Sequence, residues 1–217
     1  MLLRRRRLPM QRLNTGRRTL IWCGAFLLLF CGYLSCLVLI GNSFDRVFLL
    51  NLAKIRNSVL GAVMYGFTCL GSVWGVVSVL ALCLIFLNRK KLALPLIAEV
   101  TASWMLNEVV KHIVKRPRPE FKIIFENGYS FASGHAVNNT VLYVSLFLLL
   151  IYVYKISAKK LWPILLIPAI ISFSRLYFAV HYLTDVLAGI CFGLMVVMIF
   201  VLIYKKIFKN DFIKLNT

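Results

Sequence analysis

The sequence predicts an all-α polytopic membrane protein of six transmembrane helices. Three observations carry that expectation. The chain of 217 residues is 61% hydrophobic. Its apolar residues come in blocks of about 20, the length a helix needs to cross a ~30 Å hydrocarbon layer. Its basic residues collect in alternate connections between those blocks.

The six blocks are 19–40, 59–87, 92–114, 135–154, 161–178 and 182–204. The first is longer than the apolar region of a secretory leader and no A-x-A site follows it, so it reads as a span. The second is overlong, and its first turns are expected to lie outside the lipid. A single transmembrane domain, 19–204, follows, between a basic N-terminal segment, 1–18, and a basic tail, 205–217.

Positive charge orients the blocks. Arg4 to Arg7, Arg12, Arg17 and Arg18 precede the first. "NRKK" joins the second to the third, "KISAKK" the fourth to the fifth, and Lys205, Lys206, Lys209 and Lys214 follow the sixth. With six crossings all four segments share one side, expected to be cytoplasmic, with both termini there. Beside a spanning helix, basic clusters serve topology and anionic lipid headgroups rather than nucleic acid. Cys23, Cys31, Cys36, Cys69, Cys83 and Cys191 all lie in apolar blocks without a metal or disulfide pattern, and read as small core residues.

The opposite face holds 41–58, 115–134 and the turn after Ser174. "SFDRVFLLNLAKIRNS" mixes charged and apolar residues at helical spacing and reads as an interfacial helix. This face also carries Lys111, Lys115, Arg116, Arg118, Lys122 and Arg175, against Asp45, Glu108, Glu120, Glu126 and Asp185. The positive excess is expected to serve an external anion, and phosphate suits arginine forks and lysine point charges.

Spacing sharpens that expectation. Lys111 and Arg118 lie two helical turns apart, but Pro117 and Pro119 break the helix and bend Arg118 back across the mouth. "SFASGHA" places Ser133, Gly134 and His135 at a helix start. There a hydroxyl, close backbone approach and free N–H groups favour an anion. Two spans of ~20 residues separate His135 from Arg175, which returns "SRLYFAVHYLTD" to the same face. Asp185 follows His181 by four residues, the spacing that stacks a carboxylate on an imidazole along a helix and fixes its tautomer. Arg175 then holds charge, His181 reacts and Asp185 orients.

Lys111-x6-Arg118-Pro119, Ser133-Gly134-His135 and Ser174-Arg175-x5-His181-x3-Asp185 resemble the three signature motifs of the type 2 phosphatidic acid phosphatase superfamily, membrane lipid phosphatase branch. Ala132 stands where that family usually has proline. The resemblance implies a phosphohistidine on His181, with His135 protonating the leaving lipid oxygen and then activating water. It assigns Lys111, Arg118, Ser133, Gly134 and Arg175 to the phosphate, and implies no metal and no cofactor. The expected partner is a membrane lipid: a polyprenyl diphosphate, phosphatidylglycerol phosphate, phosphatidic acid or lipid A phosphate. A phosphotransferase using the same site and a non-catalytic lipid or anion transporter remain alternatives; the His181–Asp185 pair favours chemistry over transport. Oligomeric state is left open.

Among the other polar residues, His112 sits ~100° around the helix from Lys111 and reads as a bystander. Lys115, Arg116 and Lys122 read as headgroup contacts. Glu99, Ser103, Asn107 and Lys111 form a polar stripe expected to position Lys111, line a watery cavity or bond a neighbouring helix. Asn138, one turn after His135, is expected to orient it or meet a headgroup.

Overall fold

The computed structural model describes residues 43–207 and parts of 21–33. The segment 1–18, most of the first block and the tail beyond 207 lie outside the described residues. Every described element is helical: α1 (Ser43–Ala53), α2 (Ser58–Leu70), α3 (Val73–Phe86), α4 (Leu94–Val114), α5 (Gly134–Tyr154), α6 (Ala158–Leu161), α7 (Leu166–Tyr177) and α8 (Leu183–Ile207). A short π-helical turn, Arg89–Ala93, leads into α4, and a 3-10 turn, Trp162–Leu165, joins α6 to α7.

Local chemistry sets the helix ends. The Asn57 side chain accepts the Leu60 N–H at 2.9 Å and starts α2. Ser72 caps α3, and Lys115 ends α4 in a left-handed conformation just before Pro117. The overlong second block is broken into two helices, α2 and α3, bent by 58°. The bend falls at Gly71, where a Cβ would lie 2.3 Å from Ile171 Cγ2 of α7. Only glycine lets the chain cross α7 so closely.

Among the described residues, three tracts are long and apolar enough to cross a membrane: Gly134–Tyr154, Ala158–Tyr177 and Leu183–Tyr204; the bent α2–α3 pair makes a fourth if it is taken as one span. The 21 residues of α4 span about 32 Å, but Glu99, Ser103 and Asn107 make the helix more polar. These three are buried. Ser103 Oγ donates to Asn138 Oδ1 at 3.0 Å, and Asn107 Nδ2 lies 3.5 Å from the Ala132 carbonyl. Of the readings offered for the stripe, the structure thus shows contacts from α4 to α5 and to the segment that precedes it. Asn138 is turned to Ser103, not to His135.

α5 is the central helix, packed on α8, α4 and α7. Its approach to α8 rests on Gly189 and Gly193, a small-x3-small pair of the kind that lets membrane helices touch through their backbones. A Cβ at Gly189 would come within 2.9 Å of the Ser133 carbonyl, and one at Gly193 within 2.9 Å of the Val137 carbonyl. This close pairing brings the Ser133–His135 turn against the start of α8. At the far end, the Asn88 N–H donates to Tyr154 Oη at 3.0 Å and Tyr204 Oη donates to the Lys91 carbonyl at 2.8 Å. The "NRKK" connection and the ends of α5 and α8 therefore gather at the end remote from the three motifs. Among the described cysteines, Cys83 and Cys191 are buried as expected, but Cys69 is exposed, on the outward side of α2.

Candidate active site

The three motif segments meet at one end of the bundle. α4 stops at Val114, and the following chain turns Arg118 across the site as its prolines require. Arg118 Nη1 donates to the Val180 carbonyl at 2.9 Å and lies 3.0 Å from His181 Nε2. A guanidinium can only donate, so Nε2 carries the lone pair and Nδ1 the proton. His181 is buried, which pushes its pKa down to about 4 against the pull of Asp185. The imidazole is neutral at pH 7, the form a nucleophilic histidine would need.

Asp185 is not stacked on His181 along a helix. α8 begins at Leu183, so His181 precedes it in a turn where Ala179 has φ 49°. Asp185 Oδ2 lies 3.7 Å from His181 Nδ1, beyond hydrogen-bonding distance. It accepts instead from the Tyr182 N–H at 2.9 Å and from Ser130 Oγ. Its Oδ1 accepts from Arg116.

Arg116 is a correction to the sequence reading. It is buried rather than turned to headgroups, ion-paired with Asp185 and, at 2.9 Å, with Asp45 of α1, and stacked 4.0 Å over the Tyr182 ring. Lys115 and Lys122 are exposed as expected. His112 is also exposed, against the Glu108 carbonyl, apart from the site. The outer cations also have more internal partners than the sequence suggested. Lys111 Nζ pairs with Glu108 at 2.9 Å, and Arg175 Nη2 with Glu126 at 2.8 Å. Glu126 also lies 3.8 Å from Arg118. Burial would raise the Glu126 carboxyl, but Arg175 and Arg118 hold it below the usual carboxylate range.

Lys111, Glu126, Gly134 and His135 line one end of a cavity of about 400 Å³ that continues between α3 and α4 past Val76, Val77, Leu80, Val100 and Trp104. Its far walls are apolar. A Cβ at Gly134 would lie 3.6 Å from Lys111 Nζ, so this glycine brings backbone and ammonium together. Ser133 Oγ and Arg175 Nε are buried and have no hydrogen-bond partner among the described residues. Buried donors are nearly always satisfied in folded proteins, so these two keep hydrogen-bonding capacity unused within the site.

The break in the second span supports the site from below. His135 Nε2 lies 3.2 Å from the Thr68 carbonyl and Arg175 Nη1 donates to Thr68 Oγ1. Asn139 Nδ2 ties the His135 carbonyl at 2.9 Å to that of Gly71 at 3.0 Å. A carbonyl only accepts, so His135 Nε2 bears its proton there and Nδ1 is the nitrogen left to exchange one. Ala132 is buried and its carbonyl faces Asn107. Sequence reasoning missed Arg116, Ser130, Thr68 and Glu126 as parts of this site.

The geometry agrees with comparison to known proteins. The model of the PAP2 superfamily matches residues 92–209. The chain belongs to that superfamily. It is 30% identical over 149 residues to phosphatidylglycerophosphatase B of Bacillus subtilis, covering 65% of this chain and 73% of that protein. It is 30% identical over 180 residues to an undecaprenyl-diphosphatase of Sulfolobus acidocaldarius, covering 77% of this chain and 84% of that protein. The crystal structure of a transmembrane PAP2-type phosphatidylglycerolphosphate phosphatase from Bacillus subtilis superposes with a TM-score of 0.78 at 25% identity, over 86% of this chain and 98% of that one. Aquifex aeolicus LpxE shares the fold with a TM-score of 0.61 at 23% identity, over 72% of this chain and 93% of that one.

Proposed function

We propose that this PAP2 protein is an integral membrane phosphatase that hydrolyses a lipid phosphate or diphosphate at the extracytoplasmic leaflet through a phosphohistidine. The observation that carries this reading is the neutral His181, its Nε2 lone pair held 3.0 Å from Arg118 in a site where Lys111, Arg175, Ser133 and Gly134 converge. A transporter has no use for such an oriented nucleophile. The names of the relatives support lipid phosphates as the substrate class, and the apolar continuation of the cavity supports a lipid leaving group.

The incoming phosphoryl group displaces Glu126 from Arg175 and draws Arg118 off Nε2. Lys111, Arg118, Arg175, Ser133 Oγ and the Gly134 N–H then hold its oxygens. Nε2 attacks phosphorus and the P–O bond to the lipid breaks. His135 first takes a proton on its Nδ1 lone pair from the bound phosphate, gives that proton to the departing oxygen, takes one back from the attacking water, and the P–N bond breaks in turn. Each role falls to a group of this protein, and we assign none to a metal or cofactor.

The test is phosphate release from purified protein in EDTA, against a panel of phosphatidic acid, phosphatidylglycerol phosphate and polyprenyl diphosphate. At least one lipid should be turned over, and His181→Ala should abolish release from all of them. His135→Ala should give one burst of p-nitrophenolate per site from p-nitrophenyl phosphate and then stall. That leaving group needs no proton, whereas the water step loses about 10²–10⁴-fold. A burst from His181→Ala with none from His135→Ala would reverse the roles; activity lost in EDTA and restored by Mg²⁺ would overturn the mechanism.

A further inference from the structure

Asp185 Oδ2 stands 3.7 Å from His181 Nδ1, close enough to pull on the ring but longer than a well-formed hydrogen bond. Nδ1 bears the proton, because Nε2 faces a guanidinium. Among the described residues, the nearest hydrogen-bond partner of that proton is Ser130 Oγ, at 3.4 Å. Ser130 is fully buried on the segment before the Ser133–His135 turn, and its N–H is fixed on the Arg116 carbonyl at 2.8 Å. Its hydroxyl has a single hydrogen, which goes to Asp185 Oδ2. Its lone pairs are therefore what it offers to Nδ1. The donors run in one direction, from imidazole to hydroxyl to carboxylate, and no group is asked to donate twice.

We infer that Ser130 is a positioning residue for the phosphatase reaction, carrying the orienting effect of Asp185 to the nucleophile His181. The inference rests on the function proposed above. Asp185 itself is held from behind: Arg116 binds Oδ1, and Asp45 of α1 binds Arg116 and accepts the Thr184 N–H at 3.1 Å. The whole line is buried, where a hydrogen-bond chain polarises along its length. As Nε2 bonds to phosphorus the ring gains positive charge, and Nδ1–H must press harder on its acceptor. A long contact in the unliganded enzyme tightens at that moment. Without the hydroxyl the ring is free to turn or to move its proton to Nε2, which removes the nucleophilic lone pair.

The test compares Ser130→Ala, Ser130→Thr, Asp185→Asn and the double variant Ser130→Ala/Asp185→Asn on p-nitrophenyl phosphate. Ser130→Ala should lower kcat by about 10²-fold, the low end for a group that manages a proton, with KM and vanadate inhibition unchanged. Ser130→Thr, which returns the Oγ, should recover most of the rate. The double variant should be no slower than Asp185→Asn, because both changes cut the same line. Ser130→Cys keeps the volume with a poor acceptor, and gives the same reading if the alanine protein fails to fold. Full kcat in Ser130→Ala, additive losses in the double variant, or no rescue by threonine would each overturn the assignment. A wild-type protein inactive on every phosphate ester would sink the functional reading instead.

Discussion

His181 is kept neutral by burial. An ordinary histidine titrates near 6.5, and here desolvation, with Arg118 and Arg175 nearby, outweighs Asp185 and lowers the value to about 4. A lowered pKa means the neutral form persists as pH falls, and is lost only near the folded-state value. The acid limb of kcat/KM, corrected for ionisation of the substrate phosphate, should therefore lie near pH 4, and a limb near 6.5 would show an imidazole not desolvated as described. The motif residues were legible because each motif is local in sequence, with fixed spacings that place it on one face. Arg116, Ser130 and Thr68 were not, because their partners are far along the chain: Asp45 is 71 residues from Arg116, and Asp185 is 55 from Ser130. Arg116 read as one of several surplus cations until the fold supplied two carboxylates.

At the scale of elements, hydropathy located helices but not their breaks or closest contacts. The block 59–87 is apolar throughout, so composition hid the bend at Gly71–Ser72, although a glycine followed by a capping serine was visible there. The Gly189-x3-Gly193 spacing was equally visible and went unused. It matters because α8 carries Asp185 and α5 carries His135, so their separation sets the site. Gly189→Ala would put a methyl group 2.9 Å from the Ser133 carbonyl, and overpacking of that kind costs about 1–3 kcal/mol. Gly61 is the control, since its Cβ would meet only Tyr177 Oη at 3.7 Å, an ordinary contact. Gly189→Ala should lower the midpoint of thermal unfolding in detergent and reduce kcat together. Gly61→Ala should do neither. Equal behaviour of the two would mean that α5 and α8 are not in backbone contact.

For the whole molecule, charge distribution and site location make one statement about the bilayer. The structure sets Lys91, Tyr154 and Tyr204 at one end and Arg118, His181 and Asp185 at the other. The basic connections "NRKK" and "KISAKK" lie at the first end, and such connections stay cytoplasmic. On the reading proposed above, the motif-bearing end would face out with α1 along it: Asp45 and Leu49 are buried while Phe44, Val47 and Leu50 are exposed, the pattern of an interfacial helix. Single cysteines decide the orientation. In a background without native cysteine, Asn127→Cys reports the loop over the site and Lys159→Cys the basic connection before α7. Both positions are exposed, so access depends on the side of the membrane and not on burial. An impermeant maleimide applied to intact cells should label Asn127→Cys alone, and Lys159→Cys should react only after the membrane is opened. Labelling of Lys159→Cys in intact cells, with Asn127→Cys protected, would invert the protein. The phosphatase would then draw its lipid from the cytoplasmic leaflet, and the +19 charge would need another explanation than topology.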